Sequence, residues 1–317
     1  MSSADDQFKP TFSISNVKNS MRKLDLEKEA KYSSPILKYF NTYNLPVESK
    51  QHYFGYFYVK EWKLAGHVFM PENLKATVFV LHGLFDHSGY QSNVIRILLE
   101  HNYAVALFDL PGHGLSSGDK VSINDFSDYV FIFNEFLKKY SAHLPKPYHI
   151  IAHSTGCSIV YEYIYHEKEH PFDKIVFLTP LIHSQQWVIS KISYICFGWF
   201  LKNVPRTFRD STNSKNFNDF LINDPLQYKK VPLTFVKALF NWNKRIEYYE
   251  VINQDIYIIQ GDQDSIVDWK YNVSYLTKKI PTAKVNIIKN GKHHLQNEIE
   301  PIRTNVLNHM IKYIEKD

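Results

Sequence analysis

The stretch Ile150-Ile151-Ala152-His153-Ser154-Thr155-Gly156 restricts the possible folds of this chain more than any other. An apolar run ends in a serine with alanine two residues before it and glycine two residues after. Side chains at those flanking sites collide with strand and helix when a serine is held on a sharp turn between the two. Small residues there therefore predict a strained strand-to-helix turn. The surroundings agree: residues 147–151 are a short β-rich run after a proline-containing loop, and residues 157–167 (CSIVYEYIYHE) carry apolar residues at helical spacing. Ser154 reads as the serine of a nucleophile elbow.

On either side the chain alternates between buried strands and helices. Residues 77–81, 104–110, 174–178, 256–259 and 285–288 are β-branched or apolar runs. Residues 93–100, 126–140, 271–279 and 301–314 have helical periodicity. Such alternation predicts an α/β fold, a mostly parallel sheet with right-handed crossovers and helices on both faces. Residues 53–59 and 64–70 precede it as an antiparallel hairpin. Residues 1–50 are polar and predict an N-terminal arm, leaving 51–180 and 250–317 as the core. The rhythm breaks over residues 181–249, which hold an aromatic-rich segment (Trp187, Tyr194, Phe197, Trp199, Phe200), a polar loop at 214–219 and helical pieces near 236–242. An insertion of that size after the sixth strand predicts a helical cap over the carboxyl edge of the sheet, where open α/β folds bind ligands.

Composition narrows the function classes. A net charge of +5 with scattered lysines gives no basic, aromatic-interleaved stripe for nucleic acid. Residues 1–15 carry acids and no long apolar run, so no secretory signal is expected, and the chain reads as intracellular and cytoplasmic. The longest apolar stretch, 187–204, is interrupted by Lys191, Lys202, Ser190, Ser193 and Asn203, which favours an amphipathic or buried helix over a spanning one. Cys157 and Cys196 lack metal-type spacing, and both are expected to be buried thiols. No phosphate-cradling glycine loop, zinc ligand set or nicotinamide fingerprint occurs, so neither cofactor nor metal is expected.

An elbow serine needs an imidazole to take its proton and a carboxylate to orient that imidazole. Both follow at later strand ends. The run 256–259 leads into a turn with Asp262, Asp264 and Asp268, of which Asp264, three residues past Gly261, is preferred. Asp262 would brace the turn and Asp268 would open the next helix. The run 285–288 leads to His293 and His294, which the residues alone do not separate. Acyl transfer also needs two backbone N–H groups facing the developing oxyanion. Thr155 supplies one and Leu84, after His82-Gly83, the other.

The runs LHGLFDHSGY, FDLPGHGLSSG, AHSTG, GDQDSIVD and GKHHLQNE, in that order, resemble the monoacylglycerol lipase and lysophospholipase branch of the α/β-hydrolases, the serine aminopeptidase-like hydrolases. The resemblance covers about residues 53–315. It implies that the histidine five positions before a glutamate is catalytic, which selects His293 with Glu298, and it carries Ser154, Asp264, Leu84 and Thr155 into the site. Ala152 in place of the usual glycine, His294 where glutamate is common, and Leu110-Pro111 before the GHG turn depart from the pattern. The implied activity is hydrolysis of a single-chain lipid ester, a monoacylglycerol or lysophospholipid, with serine aminopeptidase, small-ester carboxylesterase or non-catalytic binder as alternatives. Cap residues Trp187, Tyr194, Phe197 and Trp199 are the expected acyl contacts, and the same cap is the expected place of peripheral membrane contact.

Overall fold

The computed structural model describes residues 12–28, 30–47 and 51–316, apart from the side chain of Phe197. The acidic leader on which the secretory-signal reading rests lies largely outside these, in residues 1–11.

Two short helices, α1 (Ile14–Ser20) and α2 (Ser34–Thr42), precede the sheet. They pack on it through Val17, Ile36, Tyr39 and Phe40, all buried. The segment between them runs along the sheet edge, bonding Leu24 N–H to Tyr56 O and Tyr56 N–H to Arg22 O. That covers backbone groups which an edge strand otherwise leaves open to another chain.

Strands β1 (Gln51–Val59) and β2 (Trp62–Met70) form the expected antiparallel hairpin. Then β3 (Ala76–Leu81), α3 (Ser92–Glu100), β4 (Tyr103–Phe108), α4 (Phe126–Tyr140), β5 (Tyr148–His153), α5 (Thr155–His166) and β6 (Phe172–Leu178) follow in alternation. The insertion supplies α6 (Trp187–Phe197), β7 (Asn203–Pro205), α7 (Lys215–Asn223), β8 (Lys230–Pro232) and α8 (Leu233–Ile246), with β7 and β8 paired antiparallel. The core resumes with β9 (Ile256–Gly261), α9 (Trp269–Lys279), β10 (Lys284–Ile288) and α10 (Ile302–Ile314). The main sheet has the order β1-β2-β4-β3-β5-β6-β9-β10, parallel from β4 through β10.

Alternate residues of each central strand serve opposite faces, as the period of two demands. Phe79, Leu81, Ile150, Ala152, Ile175 and Phe177 pack with α4, α5 and α9. Val78, Val80, Ile151, Val176 and Leu178 pack with α1, α2, α3 and α10. Each of these valine, leucine, isoleucine and phenylalanine side chains, fully withdrawn from water, stabilises the fold by about 1.5–3 kcal/mol. Helix α4 shows why its stretch is helical: Asp125 caps it by accepting from Ser127 N–H at 2.8 Å, Asp128 sits in its first turn and Lys138 and Lys139 in its last.

Within the insertion, residues 214–219, expected as a polar loop, instead start α7. Ser214 caps that helix by accepting from Phe217 N–H, and Leu221 buries its apolar face. Helix α8 does not float over the sheet. Its Trp242 stacks on Phe126 with ring centroids 4.6 Å apart and donates to Glu162, which also holds Arg245. The expected cap therefore joins the core well before residue 249. Helix α6 is the reverse, with Val188, Ile189, Ile192 and Ile195 all exposed rather than buried, and Cys196 exposed with them, while Cys157 is buried. No helix among the described residues is long and apolar enough to cross a membrane.

Candidate active site

Parallel strands end on one edge, so the loops after β3, β5, β9 and β10 meet above it. Ser154 follows β5 at φ 53° and ψ −116°, a conformation that costs a non-glycine residue of order 1–3 kcal/mol and marks functional turns. The strain is tolerated because neighbours hold the serine backbone: its N–H donates to Leu178 O at 3.0 Å and its carbonyl accepts from Cys157 and Leu181 N–H. Gly156 is obligatory, since a Cβ there would lie 2.4 Å from Leu81 O, a backbone atom that cannot move aside.

Ser154 Oγ lies 3.0 Å from His293 Nε2, and His293 Nδ1 lies 2.8 Å from Asp264 Oδ2. Asp264 Oδ1 accepts from the N–H groups of Ile266 and Val267, and Gln260 donates to Oδ2. Burial pushes the Asp264 carboxyl up, but His293 and these donors more than offset that and hold it below its ordinary value, ionised at neutral pH. The two rejected aspartates take other parts. Asp262 accepts from Asn290 N–H at 2.7 Å, joining the β9 and β10 turns, and Asp268 caps α9.

Glu298, fully buried, sets the histidine loop: it accepts from Lys292 N–H at 2.9 Å on one oxygen and from Asn213 N–H at 2.9 Å on the other. Its tie to the insertion through Asn213 had no sequence signal. On the opposite wall, His82 Nε2 accepts from Leu110 N–H and its Nδ1 donates to Gly83 O, fixing the loop that carries Leu84. A Cβ on Gly83 would approach Ser154 Cβ to 2.9 Å, so only glycine lets this loop come so close. The backbone N–H groups of Leu84 and Thr155 have no acceptor among the described residues. Both residues line the same cavity as Ser154.

That cavity, of about 380 Å³, lies between sheet edge and insertion. Leu181, Leu221, Val231, Phe235, Leu239 and Phe240 make an apolar side, and among the described residues no carboxylate lines it. Arg206 and Arg209 do. Arg206 stacks its guanidinium 3.9 Å from the ring centroid of Phe85, beside Leu84, and bonds Gln227. Burial lowers its pKa to about 10, so it stays cationic at neutral pH. Of the expected acyl contacts, Trp187 lines the cavity, stacked on His183 at 4.3 Å. Tyr194 packs on Phe240 outside it, Trp199 is 83 % exposed, and the Phe197 side chain lies outside the described residues.

A buried serine, imidazole and carboxylate in line, at the carboxyl edge of this sheet and beside two free backbone donors, define an α/β-hydrolase. Residues 72–300 match the profile of the family described as serine aminopeptidase, S33, and the chain belongs to that family. It is 25% identical over 285 residues to the monoglyceride lipase of Rattus norvegicus, covering 84% of this chain and 90% of that protein. A "Probable lysophospholipase L2" of Haemophilus influenzae is 26% identical over 266 residues, 76% of this chain and 84% of its own length. Among solved structures, a soluble variant of the monoglyceride lipase of Saccharomyces cerevisiae in complex with a substrate analogue superposes with a TM-score of 0.73 at 18% identity, over 86% of this chain and 97% of that one.

Proposed function

We propose that the chain hydrolyses a carboxylic ester of a single-chain lipid through an acyl-enzyme on Ser154. The observation that carries this reading is the unbroken hydrogen-bonded series Ser154, His293, Asp264. His293 takes the Ser154 proton as the hydroxyl attacks the ester carbonyl, and Asp264 holds the imidazole in the tautomer that can accept it. The tetrahedral oxyanion meets the N–H groups of Leu84 and Thr155. His293 then returns the proton to the leaving alcohol, and a water activated by the same imidazole releases the acid.

The cavity favours a lipid ester over a free peptide amine. Its apolar side suits one acyl chain, and with no carboxylate in its lining a substrate ammonium group finds no counter-charge. The two arginines favour a headgroup bearing negative charge, such as a lysophospholipid phosphate, over an uncharged glycerol. The relatives' names, monoglyceride lipase and lysophospholipase, point to the same chemistry.

Two measurements test the reading. A fluorophosphonate probe should label the wild type covalently and leave Ser154→Ala unlabelled; a folded wild type that does not react would instead mark a binding protein. Monoacylglycerols, lysophospholipids and aminoacyl amides of graded size should then rank the esters first. Faster cleavage of the aminoacyl amides would sink the lipid assignment.

A further inference from the structure

Beside the Ser154–His293 pair the fold gathers three side chains that the reaction above does not use. Asp86 follows Leu84 by two residues, His153 immediately precedes Ser154, and His294 immediately follows His293. All three are buried, and one potential ligand atom from each lies within 4.8 Å of the other two. His153 Nδ1 is 2.9 Å from one oxygen of Asp86, and His294 Nε2 is 3.2 Å from the other.

The back of His153 restricts how this cluster is held. Its Nε2 lies 3.2 Å from the carbonyl oxygen of His293, and a carbonyl can only accept, so that nitrogen carries the hydrogen. A neutral ring then turns the Nδ1 lone pair toward a carboxylate oxygen. Two lone pairs at that separation repel unless a cation stands between them, either a proton or a metal ion. The second imidazole, aimed at the same carboxylate from the other side, makes a metal ion the better fit.

We propose that Asp86, His153 and His294 form a site for a divalent transition ion, with zinc the expected occupant. Two imidazole nitrogens and a carboxylate oxygen are a zinc donor set with the fourth position open. The carbonyl behind His153 is the outer contact that fixes the tautomer of a ligating histidine. Donors about 2.0–2.2 Å from a tetrahedral ion lie roughly 3.3–3.6 Å apart, so the widest pair, now up to 4.8 Å, must close by about an ångström, shared between two side chains, to seat one. The ion ties together the Leu84 loop, the elbow and the histidine loop, and it sets positive charge near the oxyanion donors. The site does not depend on which acyl ester is cleaved.

Metal-stripped full-length protein titrated with Zn²⁺ by calorimetry should take up one equivalent, and Co²⁺ in its place should give visible absorption bands. His294→Gln and Asp86→Asn should each weaken uptake at least tenfold, and the ligand-retaining His294→Cys should restore it. Ser154→Ala should bind as wild type does. Thermal unfolding in chelator checks that each variant is folded. No stoichiometric uptake at millimolar zinc would overturn the site and leave a proton in its place. So would uptake unchanged in His294→Gln, which would locate the ion elsewhere, at His293 and Asp264 or on surface histidines. Neither failure touches the fluorophosphonate test of Ser154.

Discussion

At the scale of single residues, the site depends on side chains whose work is to hold others. Asp264 touches no substrate in the proposed reaction; it orients the His293 ring and balances the positive charge that ring acquires. Asp264→Asn should leave the fold intact and lower kcat by about 10⁴-fold, because the amide can donate to Nδ1 and so select the wrong tautomer. Steady-state kinetics on a soluble ester, with fluorophosphonate labelling rates alongside, would check it, and a loss below tenfold would remove Asp264 from the proposed role. Glu298 is a gentler test. In Glu298→Gln the side-chain amide keeps one accepting oxygen where the carboxylate had two, so one of the Lys292 and Asn213 N–H groups loses its acceptor. The cost should be about 1–3 kcal/mol in stability, read from thermal or denaturant unfolding. The fall in kcat should exceed any change in KM, since what moves is the loop of His293 rather than the apolar wall.

At the scale of elements, the junction of insertion, arm and core turns on one buried carboxylate. Asp224, just after α7, accepts from Tyr43 OH at 2.6 Å, from His87 Nε2 at 2.9 Å, from Leu226 N–H at 2.8 Å and from Tyr90 OH. Tyr43 belongs to the arm, His87 and Tyr90 to the core, so a single side chain clasps three segments. Asp224→Asn keeps one accepting oxygen and strands the two buried donors on the other, and should destabilise the protein by about 3 kcal/mol. The effect is linked to pH with a definite sign. Burial raises the Asp224 carboxyl, but His87 and the two tyrosines bring it below its ordinary value. Its stabilisation is therefore complete above the unfolded carboxylate value of about 4 and is lost as the pH falls through the lower folded value. Thermal unfolding should show the gap in Tm between wild type and Asp224→Asn narrowing below pH 4; a constant gap would mean that the clasp is not ionised. The order and type of the core elements were legible because continuous β-branched runs and helical spacing are local properties. Helix α7 was not, because SKNFND looks like a turn until Phe217, Phe220 and Leu221 find apolar partners beyond their own segment.

At the scale of the whole molecule, α6 and the turn after it present Val188, Ile189, Ile192, Ile195, Trp199 and Phe200 to solvent beside the cavity wall formed by Trp187. Exposed apolar residues in this number on one helix and its following turn suit a lipid interface. Wild-type protein should float with anionic liposomes, and Ile192→Ser combined with Trp199→Ala should not; equal flotation would end the membrane reading. The local pattern of the chain determined the α/β architecture, the strained turn at Ser154 and the order in which serine, carboxylate and imidazole follow along it, because a turn's steric needs and a strand's periodicity are written within a few residues. Only the tertiary structure decided that Trp199 points away from the cavity while Arg206 enters it, that Glu298 ties the histidine loop to the insertion through Asn213, and that Asp86, His153 and His294 converge. Those outcomes depend on which loops meet at one sheet edge, and that meeting is a property of long-range packing which no spacing along the chain encodes.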